Sequence, residues 1–294
     1  MRIMTSVAAT IFLLSVSIPA ECQTSYGSNK KVGKYIEVND IKVYYEVYGA
    51  GDPLLLLHGN SGSIANFVYQ IPALSRHFKV VAVDSRGQGQ STDSQKEITY
   101  ALMASDMSEL IDKLNLGSVH VVGWSDGGNI GLELALAHRA KVKKLVAIGA
   151  NYTHENWMAP PDSVVMEAND PRMTKAIALM KEYKKGMDRL SPFVKKKLND
   201  LMENHPNLIK DQLKTITTPT LIVVGDRDAI NMDQTVALFT CLPHSQLFIV
   251  PGATHLVPIE RSELVNSEMI RFLSTPFRDL DRYYWLSVIQ PPTQ

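Results

Sequence analysis

From residue 35 onward, short apolar runs alternate with longer segments whose apolar residues recur every three or four positions. The runs YIEV, IKVYYEVYG, PLLLLHG, KVVAVDSR, VHVVGWS, VKKLVAIGAN, TLIVVG and SQLFIVPGA read as strands, being rich in aliphatic residues and bounded by turn formers. Helical spacing appears near IANFVYQIPALSRH, TYALMASDMSELIDKL, DGGNIGLELALAHRA, MDQTVALFTCL and VPIERSELVNSEMIRFLS. The alternation predicts an α/β chain, with a mostly parallel sheet flanked by helices and an antiparallel pair at its start.

Residues 152 to about 216 break the rhythm. They are polar, Met-rich and helical in pattern, with Pro160 and Pro161 and no convincing strand. A helical cap inserted after the sixth strand is the expectation, within a single domain spanning residues 33–275. The tail, 276–294, carries the aromatic cluster YYW. No internal repeat or low-complexity tract is visible.

Composition narrows the classes. With 294 residues, 45% of them hydrophobic and 20% charged, the chain can bury a large core. Thirty basic and thirty acidic residues cancel, so neither nucleic acid nor an anionic membrane surface is implied as a partner, and a small, neutral, partly apolar molecule fits better. The first residues place Arg2 before an apolar stretch, followed by Pro19 and Ala20, the order of a secretory signal peptide over residues 1–20. The expected location is therefore secreted or periplasmic; an uncleaved anchor, a spanning helix and a lipid anchor on Cys22 are the alternatives. Cys22 and Cys241 are the only cysteines and form no C-x-x-C pair, which supports neither a disulfide framework nor a zinc cluster. Cys241, in VALFTCL, reads as a small hydrophobe.

The candidate chemistry centres on GWSDGG at 123–128, directly after an apolar run. A tight turn from strand to helix strains its central residue and excludes side chains at the flanks, which Gly123 and Gly127 satisfy. Ser125 would then stand at the C-terminal edge of the sheet, above the amides of a helix starting at Asp126. A serine hydroxyl needs a base, and the base needs an acid. His255 follows a strand at that same edge, whereas His120 and His244 precede their strands; His154, in the cap, is the competing base. For the acid, Asp228 lies far enough into the GDRD loop to turn toward His255, and Asp226 is the alternative, more suited to capping the loop. Asn151 occupies another suitable position but cannot stabilise an imidazolium as a carboxylate does. An oxyanion site needs two backbone amides. Asp126 offers one and Asn60 the other, where His58-Gly59 permits close approach, with His58 itself read as structural.

In their order, HGN at 58–60, DSRGQGQS at 84–91, GWSDGG at 123–128, GDRD at 225–228 and GATH at 252–255 resemble the α/β-hydrolase superfamily, of the type with a helical cap, over about residues 35–275. The resemblance implies Ser125, Asp228 and His255 as a triad, Asn60 and Asp126 as oxyanion donors, no cofactor, and Asp84 and Arg86 as organisers of their loop. Relatives that are dehalogenases or epoxide hydrolases carry Asp at the nucleophile position, where this chain has Ser. The function expected is an exported carboxylic ester hydrolase working through an acyl-enzyme. A carbon-carbon bond hydrolase or cofactor-free perhydrolase on the same triad is the alternative, and a slow-turnover ligand receptor is another. Trp157, Met158, Met166, Met173, Met180, Tyr183 and Met187 are the candidate pocket lining from the cap.

Overall fold

A computed structural model describes residues 25–155, 171–279 and 283–286. The signal-peptide region, Trp157, Met158 and Met166 lie outside the described residues, as do most of the tail and the side chain of Met173.

Eight strands form one sheet: β1 (Lys34–Val38), β2 (Ile41–Tyr48), β3 (Pro53–Leu57), β4 (Lys79–Val83), β5 (Val119–Trp124), β6 (Val142–Ile148), β7 (Thr220–Gly225) and β8 (Ser245–Val250). Their spatial order is β1-β2-β4-β3-β5-β6-β7-β8. The first two pair antiparallel around a turn in which Asn39 has φ +47°, and β2 runs antiparallel to β4. All later pairings are parallel. Each of the eight strands falls on a run expected from the sequence. The helices are α1 (Gln70–Leu74), α2 (Tyr100–Lys113), α3 (Asp126–Ala137), α4 (Pro171–Arg189), α5 (Pro192–Asn204), α6 (Lys210–Leu213), α7 (Met232–Cys241), α8 (Val257–Glu260) and α9 (Ser262–Ser274).

Strand side chains alternate between faces, so each central strand feeds two cores. Leu55, Leu57, Val81, Val121, Leu145 and Ile222 join one buried cluster with residues of α2, α3 and α7. Leu54, Leu56, Val80, Val122, Val146 and Leu221 join the other, with α1, α8 and α9. Burial on both faces explains why the strands read as unbroken apolar runs. Cys241 is half-buried against the first cluster.

Two expected helices are divided. The stretch from Ile64 becomes a 3-10 turn (Ile64–Phe67) followed by the short α1, with the Asn66 side chain accepting from the Ser63 backbone N–H at 2.7 Å. The last helix breaks at Arg261, whose φ of −125° and ψ of 37° are not helical, leaving α8 and α9. Local hydrogen bonding and chain direction decide these breaks, and apolar spacing does not register them.

Between β6 and β7 the chain leaves the sheet. Among the described residues there, α4 and α5 stand over the C-terminal edge, and pairing is limited to an isolated bridge between Thr153 and Asn207. Val194, Leu198, Leu208, Leu213 and Ile216 join the first core cluster, so α5 and the return segment are packed into the body. α4 is lightly seated: Ala176 and Leu179 are its buried residues among those whose side chains are described.

Candidate active site

Trp124 ends β5 and Ser125 precedes α3 with φ 56° and ψ −120°, a conformation that costs a non-glycine residue on the order of 1–3 kcal/mol. Close packing fixes this turn. A Cβ on Gly123 would lie 2.1 Å from the Gly127 carbonyl oxygen, and one on Gly127 would lie 2.0 Å from that of Leu57. The side chains excluded by the glycines would therefore strike neighbouring backbone. Ser125 N–H donates to the Ile148 carbonyl at 2.7 Å, tying the turn to the adjacent strand.

Two loops bring the other groups to the serine. His255 Nε2 lies 3.0 Å from Ser125 Oγ, and its Nδ1 lies 2.8 Å from Asp228 Oδ1. A carboxylate only accepts, so Nδ1 carries the proton and Nε2 is left as an acceptor for the serine hydroxyl. The Asp228 side chain is 1% exposed and Oδ1 also accepts from the Ile230 N–H at 2.9 Å. Trp124 Nε1 donates to the His255 carbonyl at 2.9 Å, fixing the His255 loop from the strand that leads into Ser125. Beneath the pair lies Gly149, with φ +56°, where a Cβ would come within 2.9 Å of His255 Cε1 and 3.3 Å of Asp228 Oδ2. Nothing but its place after β6 marks that glycine in the sequence.

The competing residues are engaged elsewhere. Asp226 Oδ1 accepts from the Gly252 N–H at 2.8 Å, bridging the loops after β7 and β8. His154 Nδ1 is 2.8 Å from Asn207 Oδ1. His120 and His244 face Asp52 and Asp279, His120 being on β5 and His244 just before β8. Asn151 exchanges hydrogen bonds with Asn129.

Asn60 and Asp126 flank Ser125. Asp126 is the first residue of α3, and the leading N–H groups of a helix have no acceptor within it. Gly59 lets the Asn60 loop approach, since a Cβ there would meet Ser125 Cβ at 3.1 Å. The Asp126 carboxyl is turned to side chains of two other elements. It is buried, accepts from Tyr100 Oη at 2.8 Å and from Asn60 Nδ2 at 3.0 Å, and desolvation raises its pKa to about 6 despite those donors. Tyr100, one helix away, carries no sequence signal for this role.

The loops behind the site are polar and tightly held. His58 is buried with its pKa lowered to about 4 by desolvation; Nε2 accepts from the Ser85 N–H at 2.9 Å and Nδ1 donates to the Gly59 carbonyl at 2.7 Å. Asp84 accepts from the N–H groups of Ile64 and Gln90, each at 2.8 Å, and burial raises its pKa to about 7. The fully buried Arg86 binds Asp106 through Nε and Nη2, at 2.8 and 2.7 Å, and Asp40 at 2.9 Å.

A cavity of about 250 Å³ opens on Ser125 and His255. Leu179, Met180, Tyr183, Met202 and Leu256 give it apolar walls, together with Trp124. Of the expected lining, Met180 and Tyr183 are present, while Met187 is exposed outside it. Leu179 and Met202 were legible as apolar positions in the same helical stretch; Leu256 gave no sign beyond its place beside His255.

Comparison with known proteins agrees with this architecture. The alpha/beta hydrolase fold family profile matches residues 52–179. A protein of Agrobacterium fabrum, whose name of carbamate hydrolase RutD is itself a proposal, is 28% identical over 255 residues, covering 79% of this chain and 98% of that one. The enol-lactonase of Burkholderia xenovorans LB400 superposes with a TM-score of 0.72 at 19% identity, covering 82% of this chain and 100% of its own. A meta-cleavage product hydrolase of Pseudomonas fluorescens IP01 gives 0.70 at 21% identity, covering 83% and 98%. At such identities the structural likeness speaks for the fold. Sheet order, serine turn and profile match together define the class: the chain has the alpha/beta hydrolase fold. Its named relatives are hydrolases, and at that level of description so is this protein.

Proposed function

We propose that the protein is a serine hydrolase cleaving small, uncharged carboxylic esters through an acyl-enzyme, and that it acts outside the cytoplasm. The observation that carries the reading is the continuous Ser125–His255–Asp228 hydrogen-bond chain, at 3.0 and 2.8 Å, at the mouth of an apolar cavity. Ser125 Oγ attacks the ester carbonyl carbon as its proton passes to His255 Nε2, and the imidazolium is stabilised by Asp228. The carbonyl oxygen takes up the negative charge and is met by the N–H groups of Asn60 and Asp126. Collapse of the tetrahedral species expels the alcohol, which receives the proton from His255. A water then attacks the acyl-enzyme as it gives its proton to His255, and collapse of the second tetrahedral species releases the acid as Ser125 Oγ takes that proton back.

Charge supports the substrate class. Apart from His255, no cationic side chain lines the cavity among the described residues, and the sequence of residues 156–170 contains no Lys, Arg or His. A carboxylate-bearing acyl group would enter without a counter-ion, beside the buried Asp126. The leader-like order of Arg2, the apolar stretch and Ala20 supports export.

One experiment tests these points together. A fluorophosphonate applied to fractionated cells should label Ser125 of a chain beginning after Ala20, outside the cytosol. Ser125→Ala should abolish labelling and lower ester turnover by on the order of a hundred-thousandfold, with the thermal midpoint little changed. Labelling that persists in the variant would refute the site, and a labelled chain starting at Met1 in the cytosol would refute export. Labelling without turnover of esters, lactones, carbamates or carbon-carbon substrates would favour a receptor.

A further inference from the structure

Asn60 is gripped from two of the helices that follow β6, α4 and α5. Its carbonyl oxygen accepts from Tyr183 Oη of α4 at 2.8 Å, and its side-chain Nδ2 donates to the Leu198 carbonyl of α5 at 3.4 Å as well as to Asp126. The Ser61 hydroxyl donates to Asn60 Oδ1 at 2.8 Å, with the Ser61 backbone in the left-handed region at φ +54°. The Asn60 N–H belongs to the planar Gly59–Asn60 peptide, whose carbonyl is held by His58 Nδ1 at 2.7 Å and by the Gly62 N–H at 3.1 Å, and the bonds at the Asn60 carbonyl and side chain hold the other end of that unit at the Cα.

The Tyr183 bond has a particular place among them. The ring of Tyr183 forms part of the cavity wall, while its hydroxyl is turned to the Asn60 backbone. α4 is otherwise lightly held, with Ile177, Met180 and Met187 exposed and only a narrow stripe at Ala176 and Leu179 buried among its described side chains. An element with so few buried contacts opens at lower free energy than the sheet beneath it. Where α4 sits and how Asn60 points are thus joined through one hydroxyl.

We propose that Tyr183 is a positioning residue: with α4 seated, its hydroxyl fixes Asn60 so that the Asn60 N–H meets the developing oxyanion, making a complete oxyanion site conditional on the seating of α4. The inference rests on the esterase reading above. Its consequence is that substrate enters while α4 is displaced, and the serine becomes fully effective only after the helix has closed over the bound acyl group.

The test is Tyr183→Phe, which removes the hydroxyl and keeps the ring in the cavity wall. On p-nitrophenyl butyrate, kcat should fall about tenfold, less than for outright deletion of an oxyanion donor, with KM changed by under about twofold. Affinity for phenylboronic acid, which forms a tetrahedral adduct on the serine, should fall by the same factor as kcat/KM. Met180→Ala, on the same helix and lining the same cavity, should raise KM and leave the boronate-to-substrate affinity ratio near wild type. Unchanged kcat and boronate affinity in Tyr183→Phe would overturn the proposal. So would a rise in KM alone, which would make Tyr183 a substrate contact, or an equal pattern of losses in both variants, which would indicate general loosening. A wild-type protein that neither labels with fluorophosphonate nor hydrolyses esters would overturn the parent reading as well.

Discussion

Asp226 and Asp228 stand two positions apart in one loop, yet the structure gives them different work. Asp228 is buried against His255 Nδ1, while Asp226 binds the Gly252 N–H and holds two loops together. Asp228→Asn should therefore retain the fold and lose about four orders of magnitude in kcat, since an amide that donates to Nδ1 selects the wrong tautomer. Asp226→Asn should keep most of its turnover and lower the thermal midpoint. Steady-state kinetics and melting curves on both variants check this, and the reverse pattern would move the acid to Asp226. At this scale the juxtaposition of Ser125, His255 and Asp228 was legible, because each follows a strand at one sheet edge. Tyr100, Gly149 and the destination of the Asp126 carboxyl were not, since they depend on which side chains meet across the fold and leave no local pattern.

The strand-to-helix turn from β5 into α3 is an element defined by what it excludes. Gly127 lies so close to Leu57 that an added methyl would overlap its carbonyl oxygen, which is rigid backbone of a neighbouring central strand. Gly127→Ala must displace either β3 or α3, and should cost several kcal/mol or prevent soluble expression. A thermal melt within a few degrees of wild type would contradict that geometry. The same packing explains why the glycine string could be read from sequence: a backbone approach this close admits one residue type. Strands were legible for a related reason, being buried on both faces. Helix ends were harder, as the breaks after Phe67 and at Arg261 show, because apolar spacing continues through a change of direction. The helical character of the stretch before β7 was visible in its composition, whereas the seating of its helices on Asn60 depends on contacts between parts of the chain 123 to 138 residues apart.

Across the whole molecule, the three groups of the proposed triad draw on strands of unequal security. Ser125 follows β5, which has paired neighbours on both sides and is wholly buried, whereas Asp228 follows β7 and His255 follows β8, the outermost strand, most of whose residues are partly exposed. An edge strand with half-exposed residues detaches at lower free energy than the sheet's centre, so the base can leave its serine while the rest of the sheet stays folded. In a urea series, ester turnover should therefore vanish at a lower concentration than far-ultraviolet dichroism. Amides of β8 should exchange with deuterium faster than those of β5 under the same conditions, and coincident transitions with equal exchange would show that the sheet gives way as one body. Such a protein would have a reversible, largely folded but silent state, and mild stress would switch off its chemistry before the centre of the sheet was exposed to aggregation.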